Sequence, residues 1–237
     1  YTLAMRYDGT KWSIVPTPNP NPAPELTYCE LNAIEALASN DVWAAGTRND
    51  QDTGAGYVGT HNLVVHWNGS SWQTVNAPIP ASFGLQGVSG DGIYDILALA
   101  PNDVWFFGEW IRMNAQGFTF RHALAMHYDG SSFQVHEDVP IVGSNGATIL
   151  ASDALGPNDI WAAGPAGDGD PGTANFSYIY HWDGSRWSHV PAGTMPGTFH
   201  TLGGVKMLAH GDVWISGSAW APPNVVTQFM LHWNGSG

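Results

Sequence analysis

His-Trp-Asn-Gly-Ser-Ser-Trp, residues 66–72, returns with small changes at 6–12, 127–133 and 181–187, and a shortened copy starts at His232. Its glycine falls at Gly9, Gly69, Gly130, Gly184 and Gly235, in steps of 60, 61, 54 and 51 residues. A second motif keeps the same beat: "NDVWAAG" and its variants place Trp43, Trp105, Trp161 and Trp214 at steps of 62, 56 and 53 residues. A unit of about 50 to 60 residues, repeated with insertions of variable length, restricts the chain to a propeller or a solenoid, and the content of the unit decides between them.

Each unit reads as four strands: an apolar stretch such as "LNAIEALA", then "DVWAAG", then "NLVVHW", then "SWQTV". Asn-Gly or Asp-Gly joins the third to the fourth, which predicts a two-residue hairpin turn. "SND", "PND" and "HGD" turn the first strand into the second, with Asp41, Asp103, Asp159 and Asp212 placed to bond their own backbone. No segment keeps a 3.6-residue period. The third strand is apolar on both faces, as in a sheet covered on both sides, so the expected fold is all-β: a β-propeller of four-stranded antiparallel blades. The single domain 1–237 divides into blade parts 1–19, 28–80, 92–140, 146–191 and 198–237. Three are whole and two partial, which points to a piece of a longer chain whose ring holds six to eight blades.

The spacing Tyr-Asp-Gly-x-x-Trp after a "VW" strand resembles the kelch and galactose-oxidase class of propeller. "DVWAAG…HWNGSSWQTV" is similar to tectonin repeats and to the "DVWAVG…HWDG" propeller repeats of bacterial surface proteins. The resemblance covers nearly the whole chain and implies architecture more than activity, because such propellers include enzymes, lectins and scaffolds. The chain departs from the kelch pattern in carrying single glycines, Gly46, Gly108, Gly164 and Gly217, where kelch repeats carry pairs.

Composition narrows the function. Seven Lys and Arg stand against 20 Asp and Glu, a formal charge of -13, which repels a phosphate backbone and argues against nucleic acid. Charged residues are only 11% of the chain, and no apolar run is long enough for a membrane span. This balance points to an extracellular or cell-surface location, with no membrane insertion. The lone Cys29 reads as a buried, inert thiol.

Residues present in every repeat serve the packing common to all repeats. His66, His127, His181 and His232, with Arg6 in the same slot, therefore read as hydrogen-bonding positions between blades and not as metal ligands. Residues that differ carry function. The loops from second to third strand and between repeats are long and unlike one another, and they bring Trp110, Arg112, Trp220, Tyr57, Arg48 and Phe118 to one face. Aromatics beside arginine suit sugar rings or peptide anchors. A second candidate group lies on the innermost strands: Glu35, Leu97, Asp153 and Lys206 each fall six residues before the repeated Asp, and Asp95 falls eight before, which directs them toward a central channel. Asp50–Asp52 and Asp168–Asp170 resemble fragments of calcium loops but lack the alternating oxygen set, so no cofactor or metal is expected.

No P-loop, Gly-x-Ser-x-Gly or His-Glu-x-x-His pattern occurs, and Tyr28 beside Cys29 has no companion copper cluster. Asn68, Asn175 and Asn234 fit the N-glycosylation rule, but Asn68 and Asn234 are also the Asn of the hairpin turn. The expected role is a non-catalytic extracellular module that binds a protein partner or its own copies. The alternatives are a lectin stacking glycan on Trp110 and Trp220, and a secreted hydrolase or lyase using Glu35 and Asp153 in the channel.

Overall fold

The computed structural model describes residues 2–19, 28–51, 58–78, 90–113, 119–140, 146–166, 177–197, 199–223 and 225–236. These contain seventeen strands and no helix. A hairpin of β1 (Ala4–Tyr7) and β2 (Trp12–Val15) comes first. Three four-stranded antiparallel meanders follow. The first is β3 (Cys29–Ala38), β4 (Asp41–Gln51), β5 (Val58–Trp67) and β6 (Trp72–Val75). The second is β7 (Gly90–Ala100), β8 (Asp103–Met113), β9 (Thr119–Tyr128) and β10 (Phe133–Val135). The third is β11 (Ala151–Gly156), β12 (Asp159–Pro165), β13 (Ser177–Trp182) and β14 (Trp187–Val190). A C-terminal sheet has three strands, β15 (Phe199–Ala209), β16 (Asp212–Ala221) and β17 (Val225–Trp233).

The turn chemistry differs from expectation at the third-to-fourth connection, and in the turn aspartates Asp41, Asp103, Asp159 and Asp212, whose carboxylates bond side chains of their own sheet. Strands one and two are joined by two residues, since Ala38 pairs with Asp41 and Ala100 with Asp103. The Asn-Gly hairpin is wider: Trp67 pairs with Trp72 and Trp182 with Trp187, leaving four residues in the loop. The reason is the side chain of the first loop residue. Asn68 Oδ1 accepts the N–H of Ser70 and of Ser71, each at 3.0 Å, and the Ser70 hydroxyl at 2.8 Å. Asp8, Asp129 and Asp183 do the same, and these donors, led at Asp8 by the Thr10 hydroxyl, hold that carboxyl down at about 2. Gly69 follows with φ +94°, and a Cβ there would stand 2.8 Å from Cβ of Asn40 in the neighbouring turn. The two kinds of turn thus pack on each other at one end of each sheet.

Alternating residues of the second strand face opposite neighbours, and this stacks the sheets. Trp43, Ala45, Val64, Ile93, Phe106 and Trp110 form a core between the first and second meanders. Trp105, Phe107, Ile160, Tyr180, Trp182 and Trp187 form one between the second and third. Trp161, Ile179, Leu202, Met207 and Ile215 form one between the third and the C-terminal sheet. Cys29 is buried with Ala44, Leu63 and Val65 on the other face of the first meander.

One contact repeats at each junction. Trp43 lies 5.2 Å from Tyr128, Trp105 lies 5.4 Å from Trp182, and Trp161 lies 5.6 Å from Trp233, ring centre to ring centre. In every case a second-strand tryptophan meets the aromatic that ends the third strand of the next sheet. Such a pair adds about 1 kcal/mol beyond its area burial. The repeated histidines correct the reading that they bond between sheets. His66, His127, His181 and His232 stack on Trp43, Trp105, Trp161 and Trp214 of their own sheet, with centroids 4.2 to 4.8 Å apart. Their Nε2 atoms bond Asp41, Asp103, Asp159 and Asp212, again within the sheet, at 2.7, 2.9, 2.8 and 2.9 Å. The same Asp accepts the indole N–H of Trp105, Trp161 and Trp214. The two strands are direct neighbours, so the nearest acceptor is local. The contact from His210 to Asp159 does cross from the C-terminal sheet to the third meander.

Candidate functional site

Because the tight turns gather at one end of each sheet, the finishing residues of the second strands and the first residues of the first and third strands meet at the opposite end. A cleft of about 300 Å³ opens there between the third meander and the C-terminal sheet. Trp220 from the end of β16, Phe199 and His200 from the start of β15, Ser218 of β16, Arg121 of β9, and Thr148 from the segment before β11 line it. The rings of Trp220 and Phe199 lie 5.1 Å apart, tilted by 46°.

The cleft rests on a buried carboxylate. Glu109 of β8 is 6% exposed. Its Oε2 accepts a 3.2 Å bond from Arg121 Nη1 and a very short one from the Thr148 hydroxyl, while Tyr94 donates to Oε1 at 3.4 Å. Burial, and then the Glu109 charge, push the Tyr94 phenol up to about 12. The backbone under Arg121 is also pinned, since Ala147 N–H donates to its carbonyl at 3.3 Å. One ion pair with hydroxyl partners on both oxygens is how a charge survives burial.

The residues singled out by sequence fall in different places. Trp220 lines the cleft, half-buried. Trp110 does not belong to an exposed loop: strand pairing runs on past it, through Ile111 with Arg121 and Arg112 with Phe120. That continuation, with strand alternation, turns Trp110 into the core between the first and second meanders, 6% exposed and stacked on His122 at 4.2 Å. The backbone of Arg112 is on β8, and its side chain lies outside the described residues. Tyr57 and Phe118 lie outside them too, as do Asp52 and Asp168–Asp170. Arg48 is a half-buried strand residue of β4, paired with His61. Its charge acts on Asp91, a buried carboxyl that the sequence reading did not single out.

On the first strand of each sheet, Glu35, Leu97, Asp153 and Lys206 sit opposite Trp43, Trp105, Trp161 and Trp214, the same position in four sheets. Asp153 Oδ2 takes 2.8 Å from Lys206 Nζ and 2.7 Å from the Met207 N–H, and Asp95 Oδ2 takes 2.6 Å from the Ser152 hydroxyl. These two acids tie β7 to β11 and β11 to β15. Burial pushes Asp95 up to about 6, with Glu35 adding to the rise, and burial also raises Glu35. Among the described residues no three His, Cys, Asp or Glu side chains are arranged to hold a metal ion.

No family model and no curated protein matches the chain. Solved structures do. A protein of unknown function from Dyadobacter fermentans superposes with a TM-score of 0.55 at 12% identity, over 86% of this chain and 60% of that one. YCF48 bound to a D1 peptide gives a TM-score of 0.44 at 14% identity, over 94% of this chain and 58% of that one. A glycoside hydrolase gives 0.43 at 9% identity, over 88% and 71%. The chain thus spans about three fifths of the length of the first two. At these identities the likeness concerns fold alone.

Proposed function

We propose that the chain is a run of blades from a larger β-propeller of six to eight, and that it serves as a non-catalytic interaction and assembly module of an extracellular bacterial surface protein. Face-to-face stacking of four-stranded meanders, with one aromatic contact recurring at three junctions, supports the radial arrangement. The observation that carries the assembly role is apolar surface at both ends of the stack. Leu3, Met5, Tyr7, Trp12 and Ile14 of the N-terminal hairpin are 51 to 68% exposed, and Val225, Val226 and Met230 of β17 are 56 to 63% exposed. A groove of about 570 Å³ between that hairpin and the first meander is lined by Leu3, Met5, Ile34, Ala36, Val42 and Trp72. Contiguous apolar surface of this kind marks contact with other protein. The repeat itself names the fitting partner: another sheet of the same kind, from the same ring or from a second copy. The hydrolase reading has less support, because one of its two carboxylates, Asp153, is held by Lys206 and Met207.

Light scattering across a concentration series tests the proposal with the 237-residue chain. The mass should rise with concentration, and Ile14→Glu or Met230→Glu should return it to that of one chain. A single-chain mass at every concentration would refute the assembly role.

A further inference from the structure

We propose that the cleft between the third meander and the C-terminal sheet is a binding subsite for a neutral saccharide, of about one ring in size. The volume, about 300 Å³, is at the small end of ligand pockets and matches one sugar ring and its hydroxyls. A sugar ring offers an apolar C–H face and a rim of hydroxyls, and the lining supplies a counterpart to each. Trp220 and Phe199 give an aromatic surface, and Val226 extends it. Thr148, Thr201 and Ser218 bring hydroxyls, and Arg121 brings a guanidinium with five donors, of which Nη1 is engaged with Glu109.

Charge selects neutral over acidic sugars. The Arg121 cation is matched by Glu109 directly beneath it, and the whole chain carries a formal -13. The pair offers directed hydrogen bonds without net charge, so a carboxylated or phosphorylated ligand finds no excess positive field. The geometry is also set before any ligand arrives. The Thr148 hydroxyl proton is committed to Glu109, which leaves its lone pairs as acceptors, and the same carboxylate oxygen fixes Arg121. His200 is fixed as well: its Nε2 donates to the Pro196 carbonyl at 2.6 Å, and its Nδ1 is buried without a hydrogen-bond partner.

The subsite shares only Val226 with the assembly surfaces, and none of the residues substituted in its test belongs to them, so either proposal can fail while the other holds. The test is saturation-transfer NMR on the 237-residue chain with glucose, galactose, mannose and N-acetylglucosamine as probes, and with glucuronate and inorganic phosphate as acidic controls. At least one neutral sugar should bind, with a Kd of about 1 mM as a single-ring ligand gives. Trp220→Ala should weaken that binding about tenfold or more, and Arg121→Met and Ser218→Val should each weaken it. Ser218→Val keeps the aromatic packing, so its result stands even where Trp220→Ala fails to fold. The proposal is overturned by saturation with none of the neutral probes, by response to the acidic probes alone, or by sugar binding that survives both Arg121→Met and Ser218→Val.

Discussion

Replacing Asp91 by Asn should stabilise the protein at alkaline pH and do progressively less as the solution is acidified. Asp91 lies at the start of β7, opposite Trp110 of β8, and is only 2% exposed. Burial pushes its carboxyl up to about 7, against the pull of the Asn62 backbone amide and the Arg48 charge. Neither carboxyl oxygen has a hydrogen bond of ordinary geometry, so the ionised form gains little to offset lost hydration. In the unfolded chain the group titrates near 3.9. Between that pH and about 7 the unfolded chain releases a proton that the folded one keeps, so stability falls as pH rises and levels off above about 7. A rise from 3.8 to about 7 costs about 4 kcal/mol in full, at 1.36 kcal/mol for each tenfold change in proton binding. About 2.5 kcal/mol of this develops between pH 5 and pH 8. Asn keeps the shape and lacks the ionisation. Urea unfolding of the wild type and of Asp91→Asn at several pH values measures the difference directly. Asp95 and Glu35 contribute slopes of the same sign, but they are present in both proteins and cancel. A stability difference that stays constant from pH 5 to pH 8 would show that Asp91 is ionised at low cost, and would refute the account of the junction between the first two meanders.

Two further outcomes follow from the repeated and buried polar groups. Asp103→Ala removes the acceptor of both His127 and the Trp105 indole at a buried junction and should cost about 3 kcal/mol, whereas Asp212→Ala, where Asp212 and His232 are themselves 41% and 42% exposed, should cost under about 1 kcal/mol; urea midpoints of the two variants make the comparison. His136 packs on Trp105 and Trp182, and burial holds its imidazole below the usual value, against the pull of Asp138. The unfolded chain therefore takes up a proton that the folded one resists, so this contribution is present above about pH 6.5 and is lost as pH falls, and His136→Phe should flatten the acid side of the unfolding profile by comparison with the wild type.

Much of the architecture was legible because it is written once per repeat. The tryptophan spacing located β4, β8, β12 and β16, and the Asn-Gly or Asp-Gly pairs located every third-to-fourth connection. Local chemistry was harder to read. The dipeptide alone suggests a two-residue turn, yet the Asn68 or Asp129 side chain captures two following amides and widens the loop to four residues. Trp110 looked like a loop residue because the apolar run breaks at Glu109 and Arg112, but cross-strand pairing continues past both. Glu109 tolerates its place inside a strand because Arg121 and Thr148 meet it, and neither partner is near it in the chain. The cleft draws Arg121, Phe199 and Trp220 from two different sheets and Thr148 from the segment before β11, and a pattern read one sheet at a time does not bring such residues together.

The tryptophan contacts all point in one direction along the chain. Trp43 is covered by Tyr128, Trp105 by Trp182 and Trp161 by Trp233, each partner lying downstream. A sheet leaving the ribosome can close its own hydrogen bonds and lay its own histidine on the indole, but the side of the indole that meets the next sheet stays uncovered until that sheet is translated and docks. Synthesis and burial therefore advance in the same order, and each newly finished sheet serves briefly as the sticky template on which the following one settles.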